Sequence, residues 1–301
     1  MGDVLTRGTL MPESVRNELF NLVRGKSALA RLSASEPIPF NGEKVFTFQM
    51  DNEVDLVAEN AGKSNGGGTV AAVTMQPVKI EYGMRVSDEF RYGAEELRLQ
   101  YLRAFADGFA RKVARGIDIM AFHGVNPRTG LTASVLTNKN FDDLISNTVV
   151  FDSDAPADNI TSAIALVEAV EHEVTGLAIA PAMKNALAAL KTQKDSNVPL
   201  FPNLGWGATV GELNGLPTDS NSTVSFNSNA DRAIVGNFAD FFKWGFAREL
   251  PIEVIEYGNP DNSDLGDLKG HNQVYLRGEA YVGWGIIDPT AFAIVKANAS
   301  A

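Results

Sequence analysis

The sequence predicts an α+β protein in which one long helix stands beside strands drawn from distant parts of the chain. Three observations support that class. Residues 95–122 contain no proline, and their apolar side chains recur at helical spacing. Residues 45–50 and 78–86 alternate apolar with polar side chains, which is the period of a strand. Residues 155–245 alternate helical and strand-like segments, the order expected of a compact α/β unit.

The segment 95–122 is the longest predicted element. At about 1.5 Å per residue it would extend for about 40 Å, which suits a structural beam. The other side of the helix is predicted to carry two ion pairs, Asp107 with Arg111 and Arg115 with Asp118. The apolar face is predicted to contain Leu97, Tyr101, Phe105, Phe109, Val113, Ile117 and Met120.

A long hairpin is predicted before this helix. Its arms are residues 45–50, with Phe46 and Phe48 on one side, and residues 78–86. The connection, residues 51–69, is rich in glycine and has no core of its own. Because an isolated two-stranded ribbon is marginal in water, the hairpin needs a surface to lie on. A neighbouring copy of the chain is the economical candidate.

The remaining predicted elements follow from the same patterns. The tail strands are expected to pack with the long helix, so that an outer domain is assembled from both ends of the chain. In order, the elements are a helix at 12–23, a turn at 126–130, weak strands near Val135 and at 149–151, a helix at 160–173 capped by Asp158 or Asn159, a strand at 177–180, a helix at 181–190, loops at 194–231 anchored by Trp206, Leu213 and Leu216, strands at 233–236 and 241–244, and tail strands at 252–255, 280–286 and 291–295.

Composition excludes several classes of protein. The chain is 45% hydrophobic and can therefore bury a sizeable core. Its net charge of -11 argues against a broad basic face for nucleic acid. The absence of cysteine excludes disulfides, thiolate metal sites and a cysteine nucleophile. No run of 18 apolar residues predicts a membrane span.

No catalytic or cofactor site is predicted. The triplets at 25–27 and 62–64 both read Gly-Lys-Ser and resemble the end of a phosphate-binding loop. Such a loop needs a glycine five residues before the glycine that precedes the lysine, so that its amides can surround the phosphates. Phe20 and Val57 occupy those positions, and the resemblance fails.

No metal site is predicted either. The histidines, His123, His172 and His271, are scattered and form no i,i+4 pair. The acidic loop at 258–272 offers carboxylates, but Leu265 stands where a calcium site needs an oxygen donor. A solvated hairpin loop is the favoured interpretation of these acids.

Four stretches of the chain, taken in order, resemble one known family. They are Pro-Ile-Pro-Phe at 37–40 before the glycine-tipped hairpin, Val-Ser-Asp-Glu-Phe at 86–90, the segment 118–124 followed by Pro127 and Gly130, and the closing strands at 235–238, 275–279 and 288–293. Together they resemble the major capsid protein of tailed bacteriophages, whose fold is named after phage Hong Kong 97. The resemblance extends over nearly the whole chain.

The resemblance implies a Hong Kong 97-type capsid fold in four parts. These are an N-terminal arm (1–36), an extended loop hairpin (37–77), a peripheral domain with the long spine helix (78–154 and 246–301) and a compact α/β axial domain (155–245). Contacts between subunits are expected at Phe46, Phe48, Lys63 and Gly67 of the hairpin and at Trp206 near the capsomer centre.

The implied function is structural and not enzymatic. Members of the family self-assemble as pentamers and hexamers into an icosahedral shell around double-stranded DNA, which is enclosed without sequence-specific binding. No cofactor and no membrane are involved. The expected location is the virion, with assembly in the host cytoplasm. A portal is expected as a partner. Since the chain starts directly with the arm, scaffolding is expected to be a separate protein or already removed.

One covalent feature of the family and two alternative functions bear on this interpretation. One relative cross-links a lysine of the extended loop to an asparagine of a neighbour's peripheral domain, for which Lys63 with Asn259 or Asn262 are positional candidates; we expect no such bonds here. An encapsulin-type nanocompartment shares the fold but encloses enzymes. A soluble α/β enzyme using residues 155–245 would instead form a small oligomer with a polar pocket.

Overall fold

The computed structural model describes residues 27–91, 95–193, 197–205, 209–228, 230–248 and 252–298. The predicted helix at 12–23 and Trp206 lie outside these ranges. Helices and strands mix throughout the described chain, so the α+β class is confirmed. No helix in the described ranges is both long and apolar enough to cross a membrane.

The described elements alternate along the chain. The helices are α1 (Ala28–Leu32), α2 (Glu95–His123), α3 (Phe141–Leu144), α4 (Pro156–Glu168), α5 (Pro181–Ala189) and α6 (Phe238–Phe241). The strands are β1 (Glu43–Met50), β2 (Gly68–Met75), β3 (Val78–Ser87), β4 (Thr148–Val150), β5 (Gly176–Ile179), β6 (Glu212–Leu213), β7 (Leu216–Ser220), β8 (Asp231–Gly236), β9 (Phe242–Arg248), β10 (Ile252–Ile255), β11 (Gln273–Ile286) and β12 (Phe292–Lys296).

The long helix α2 is confirmed, and its apolar face is buried only from its middle onward. Phe105, Phe109 and Ile117 are buried, whereas Tyr101 is 57% exposed. The predicted ion pair between Arg115 and Asp118 is wrong. Asp118 is fully buried, while Arg115 donates a hydrogen bond to the Ser222 hydroxyl at 2.9 Å.

A sheet organised by β11 packs against α2. Along one edge, β11 pairs antiparallel with β3 through ten positions, from Gln273 opposite Ser87 to Val282 opposite Val78. Along the other edge it pairs first with β10 and then with β9, and the pairing with β9 shifts register between Tyr281 and Val282. The predicted hairpin partner of β1 was therefore wrong. β1 pairs with β2, and β3 belongs to this separate sheet.

A second sheet forms the core of the α/β half, in the order β4-β12-β8-β5-β7-β6. The predicted grouping of the tail strands needs one correction, because β12 lies between β4 and β8 and does not pair in the β11 sheet. Its residues Phe292 and Ile294 still share a buried cluster with α2. The strand predicted at 241–244 to return into this sheet is β9, which pairs with β11 instead. Helices α4 and α5 cover the second sheet through a cluster that includes Val167, Met183 and Leu187.

Aromatic side chains join the two halves. Phe141 is fully buried, and its ring centroid lies 5.5 Å from that of Phe122 on α2 and 5.1 Å from that of Phe292 on β12. Phe238 and Phe242 complete the cluster, with centroids 6.2 Å and 5.6 Å from that of Phe141. The short helix α3 therefore fills the space between α2 and the α/β sheet.

Two smaller predictions also need correction. The weak strand near Val135 is a 3-10 turn at Ser134–Leu136. Helix α4 begins at Pro156, and neither Asp158 nor Asn159 caps it: the N-cap is Ala155, without a side-chain hydrogen bond. Proline is favoured at the first helical position because its missing N–H has no partner to lose there.

The described end of the predicted arm packs into the chain's own body. Ala28, Leu29 and Ala30 of α1 are buried. Residues 35–38 then follow β9, where the Glu36 amide donates to the Trp244 carbonyl at 2.9 Å. The approach is close, since a Cβ placed on Gly245 would lie 1.6 Å from the Glu36 carbonyl oxygen.

Candidate assembly surface

The hairpin β1–β2 presents a row of apolar side chains to solvent. Its register places Phe46 opposite Ala72 and Phe48 opposite Val70, so these residues share one face. We call this the outer face. Phe46 is 69% exposed, Phe48 63% and Val70 64%. Exposed apolar rows of this kind mark surfaces that another molecule covers.

The opposite, inner face of the hairpin holds it to the body. Val45 and Val73 are half-buried on that face, and Met75 is buried at its base. A Cβ placed on Gly285 of β11 would lie 2.6 Å from Cγ of Met75 and 3.3 Å from Cγ1 of Val73. Glycine at 285 therefore allows the base of the hairpin to approach β11 closely.

The hairpin tip, residues 51–67, contains no helix or strand in the described structure. It is closed at its entrance, where the Asp51 amide donates to the Gly67 carbonyl at 3.1 Å. Its apolar side chains point into solvent, with Val54 96% exposed and Leu56 98% exposed. The tip is therefore presented outward rather than folded onto the chain's own core.

The predicted contact residues fall in two groups. Phe46 and Phe48 lie side by side on the outer face, while Lys63 and Gly67 lie in the exposed tip and at its entrance. A Cβ on Gly67 would meet Oδ2 of Asp51 at 2.7 Å, so this glycine also serves the local closure of the tip. Their contacts with other copies stay a prediction. Trp206 lies outside the described residues.

Asp118 organises a buried polar contact in the body of the subunit. It is 0% exposed and accepts hydrogen bonds from the Ser27 hydroxyl, from the Ala28 amide at 2.9 Å and from the Thr223 hydroxyl at 2.9 Å. Burial raises the pKa of Asp118 to about 6, and the hydrogen bonds from Ser27, Ala28 and Thr223 oppose that rise. One carboxylate thus ties α2 to the start of α1 and to the loop before β8.

A second polar cluster, which we call the junction cluster, connects the end of α2 to α3 and to the neighbouring strands β8 and β12. It consists of His123 at the end of α2, Asp142 on α3, Asp231 on β8 and Lys296 on β12. His123 Nδ1 lies 2.8 Å from Oδ2 of Asp142, and its Nε2 lies 2.8 Å from the Thr223 carbonyl oxygen. A carbonyl and a carboxylate both only accept, so both ring nitrogens carry protons and His123 is an imidazolium.

Burial and the contacts among its members set the protonation of the junction cluster. Burial is the largest single influence on the pKa of His123 and lowers it, but the hydrogen bond and charge of Asp142, the Thr223 carbonyl and the charge of Asp231 together hold that pKa above its ordinary value. Burial and the neighbouring charge of Asp142 raise the pKa of Asp231 to about 7. The pKa of Asp142 stays low despite burial, because His123 donates to it. Lys296 lies 3.1 Å from Asp142 and 3.6 Å from Asp231.

The junction cluster also contains the residue types of a metal centre. In the described part of the chain, His123, Asp142 and Asp231 are the one group of three ligand-type side chains whose donor atoms lie within 4.8 Å of one another. Asp142 is already bonded directly to His123, and the Lys296 ammonium supplies a positive charge beside both acids. The arrangement is therefore that of an ion-pair network.

The remaining candidates from the sequence have ordinary partners. His172 lies 3.2 Å from Oδ2 of Asp288, and His271 lies 3.1 Å from the Asp267 carbonyl oxygen. In the acidic loop, Asp261 forms an ion pair with Arg85 at 2.6 Å. Arg85 also donates to the side chain of Asn259 at 2.7 Å, which fixes that asparagine within its own subunit.

Sequence reasoning missed β2, Asp118 and the junction cluster. Residues 69–75, bounded by glycine and followed by Gln76 and Pro77, do carry a short β-rich run that signals a strand. Asp118 stands alone in the otherwise apolar run 117–122, which is a signal of a buried polar group. No local signal identifies the junction cluster, since its members are far apart in sequence.

The fold and its exposed hairpin define a shell-forming subunit, and comparisons with known proteins agree. The phage capsid family matches residues 7–297, and the chain belongs to that family. No curated protein sequence matches the chain.

Solved structures give the same result. A structure from Mycobacterium phage Ogopogo is 30% identical, covers 90% of this chain and 92% of its own, and superposes with a TM-score of 0.77. One from Gordonia phage Cozz is 24% identical, covers 91% and 87%, and has a TM-score of 0.74. The capsid of an empty GTA particle computed with C5 symmetry is 16% identical, covers 91% and 90%, and has a TM-score of 0.61.

The predicted family and the predicted capsid fold are thereby confirmed. The chain is a structural major capsid protein. The two alternatives, a nanocompartment shell protein and a soluble α/β enzyme, find no support in these matches.

Proposed function

We propose that the chain assembles as pentamers and hexamers into an icosahedral phage shell, and that the outer face of the hairpin is covered by a neighbouring copy. The single observation that carries the second part is the exposure of Phe46, Phe48 and Val70, at 69%, 63% and 64%. Burial of apolar surface contributes roughly 25 cal/mol per Å2. A neighbouring subunit therefore stabilises the shell by covering this row.

The shell encloses double-stranded phage DNA without reading its sequence. The net charge of -11 supports containment rather than a broad basic contact with DNA. The proposal assigns the chain no catalytic role. It includes a portal and a scaffolding protein as partners, assembly in the host cytoplasm and a final place in the virion shell.

The proposal keeps the four-part division into arm (1–36), extended loop (37–77), peripheral domain (78–154 and 246–301) and axial domain (155–245), with two refinements. Residues 27–36 belong with the body, because α1 is buried. Strand β12 belongs with the axial sheet, because it pairs with β4 and β8.

The test is a double substitution on the outer face, Phe46→Ser with Phe48→Ser. Both side chains are exposed in the subunit, so the circular dichroism spectrum and melting temperature should stay close to those of the unmodified chain. Negative-stain microscopy should then show loss of shells. The matched control is Thr47→Ala, which changes the inner face of the same strand and should leave shells intact. Normal shells from the double variant would overturn the proposed coverage of the outer face, while failure of the unmodified chain to form shells would overturn the shell function.

A further inference from the structure

The chain contains three Asn-Gly pairs, at residues 41–42, 65–66 and 214–215. An asparagine before glycine readily loses its side-chain amide, because glycine has no side chain to hinder attack by its own backbone nitrogen. The reaction requires that nitrogen to reach the side-chain carbonyl carbon of the asparagine. All three asparagines are exposed, so access to water does not distinguish them. The conformation and the hydrogen bonds of the backbone do.

The pair Asn41–Gly42 is held in the turn that enters β1. The Gly42 amide donates a hydrogen bond to the Pro39 carbonyl at 2.9 Å. Gly42 has a φ of +84°, and a Cβ placed on it would lie 3.0 Å from the Met75 carbonyl oxygen. The nitrogen that would attack Asn41 is therefore engaged in a hydrogen bond within a closely packed turn.

The pair Asn214–Gly215 forms the tight turn between β6 and β7. Leu213 pairs with Leu216 directly across this turn. Asn214 has a φ of 50° and Gly215 a φ of 83°, the left-handed conformations that a two-residue hairpin turn requires. Attack on the Asn214 side chain would require the backbone to leave this conformation, which would disrupt the pairing of the hairpin.

The pair Asn65–Gly66 lies in the hairpin tip and has neither restraint. It belongs to no helix or strand, and no described backbone group accepts a hydrogen bond from the Gly66 amide. A Cβ placed on Gly66 would meet nothing within 4 Å. Gly67 and Gly68 follow, so the backbone can rotate without steric hindrance from side chains. The Gly66 nitrogen is therefore free to approach the side chain of Asn65.

We propose that Asn65 is a site of spontaneous deamidation. The Gly66 nitrogen loses its proton to water or hydroxide and forms a bond to Cγ of Asn65. The bond from Cγ to the side-chain nitrogen breaks, and that nitrogen takes up a proton from water and leaves as ammonia. Water then opens the resulting succinimide ring at either carbonyl, which yields aspartate or isoaspartate. The net reaction consumes one water and releases one ammonia, and nothing is oxidised or reduced.

The reaction changes both the charge and the backbone of the tip. Conversion of Asn65 adds one negative charge to a segment whose acids already outnumber its bases, and isoaspartate also adds a methylene group to the main chain. The titratable residues of the tip are Asp51, Glu53, Asp55, Glu59 and Lys63. This inference goes beyond the proposed shell function and does not depend on it, because the reaction takes place within one subunit.

The test follows the three pairs in the purified full chain during incubation in mildly alkaline buffer. Protease digestion and mass spectrometry measure the fraction of each asparagine that has become an acid, and isoaspartyl methyltransferase labels the isoaspartate product. We expect Asn65 to convert several times faster than Asn41 or Asn214. Equal rates at the three sites, or a slower rate at Asn65, would overturn the inference.

Unfolding in urea provides the first control, because it releases the two turns. Asn41 and Asn214 should then approach the rate of Asn65, so that most of the difference among the three sites disappears. If the difference persisted in urea, the flanking sequence rather than the fold would select Asn65, and the inference from the backbone would be wrong.

Two alanine substitutions in the tip form a matched pair. A Cβ on Gly66 or on Gly62 would meet nothing within 4 Å, so both variants should keep the melting temperature of the unmodified chain. Gly66→Ala should slow the conversion of Asn65 several-fold, because the new side chain crowds the attacking nitrogen. Gly62→Ala, at a glycine that follows Ala61, should leave the rate unchanged. Equal rates in the two variants would contradict attack by the Gly66 nitrogen.

Discussion

Ser27 donates a hydrogen bond to Asp118, a residue 91 positions further along the chain. The same carboxylate accepts from the Ala28 amide at 2.9 Å and from the Leu29 amide at 3.2 Å, which places a negative charge at the start of α1. An acid there satisfies amides that have no partner within the helix and faces the positive end of its dipole. The long helix thus caps the short one.

Replacing Asp118 with asparagine should therefore destabilise the subunit. The asparagine NH2 group is a donor, and it would face groups that now donate hydrogen bonds to the carboxylate. Each buried donor left unpaired costs about 1–3 kcal/mol. We expect the free energy of unfolding to fall by roughly 3 kcal/mol, measured by urea denaturation of the recombinant chain. Asp107→Asn, on the same helix but only half-buried, should change it little. Equal effects of the two substitutions would rule out the capping role.

The junction cluster should make stability depend on pH. The pKa of Asp231 is about 7 in the folded chain against an ordinary 3.8. Between these pH values the folded state holds a proton on Asp231 that the unfolded state has released. The contribution of Asp231 to the free energy of unfolding is therefore full below pH 4 and is lost as pH rises through 7. The difference in unfolding free energy between the unmodified chain and Asp231→Asn should decrease by at most roughly 4 kcal/mol from pH 4 to pH 8.

Denaturant titrations at a series of pH values measure this difference. Asp154→Asn, which removes an exposed acid, serves as the control for the loss of one charge. A difference for Asp231→Asn that stays flat across neutral pH would show that Asp231 does not titrate in this range. The protonated His123 acts in the same direction, because its pKa is also raised.

Replacing glycine with alanine should have opposite effects on stability at positions 245 and 108. At Gly245 an added Cβ would meet the Glu36 carbonyl oxygen at 1.6 Å, so Gly245→Ala should destabilise the chain by about 2–3 kcal/mol or more. At Gly108, inside α2, an added Cβ meets nothing within 4 Å. Gly108→Ala should stabilise the chain by about 0.5–1 kcal/mol, because alanine favours the helix. The melting temperatures of both variants measure these effects. An unchanged melting temperature for Gly245→Ala would contradict the close packing of residues 35–38 on β9.

Phe141 should be among the most costly core residues to truncate. It is fully buried and touches four other phenylalanine rings. Loss of the ring leaves a cavity between the two halves, and we expect Phe141→Ala to lower the free energy of unfolding by about 3–5 kcal/mol. Val135→Ala, at a site 56% exposed, should cost less than about 0.5 kcal/mol. Similar losses of unfolding free energy in the two variants would disprove that α3 fills the space between α2 and the α/β sheet.

The elements that sequence reasoning identified are those fixed by local pattern. Helix α2 and strand β3 follow from the spacing of their own side chains, which neighbours in sequence reveal. The partner of β3 does not, because Val78 pairs with Val282, more than two hundred residues away. The first arm of the hairpin was recognised from Phe46 and Phe48, but its second arm was misplaced because β2 carries small residues after a glycine run.

The candidate site likewise contains parts that local pattern reveals and parts that depend on residues distant in sequence. The exposed apolar row of the hairpin could be predicted, because alternation and the lack of a local core are visible in the sequence. Asp118 was assigned to the solvent side of α2, since a carboxylate is usually exposed and its donors, Ser27 and Thr223, are distant. The junction cluster depends on four separate elements, so no spacing rule could bring its members together.

The position of β12 has a consequence for biosynthesis. Residues 292–296 lie between β4 and β8, so the interior of the larger sheet stays open until almost the last described residue has left the ribosome. Nascent chains emerge N-terminal end first, and the hairpin is therefore made long before the body that carries it is complete. During translation the apolar hairpin β1–β2 is therefore exposed to other nascent copies. Chaperone protection at this stage should govern the yield of properly folded subunits.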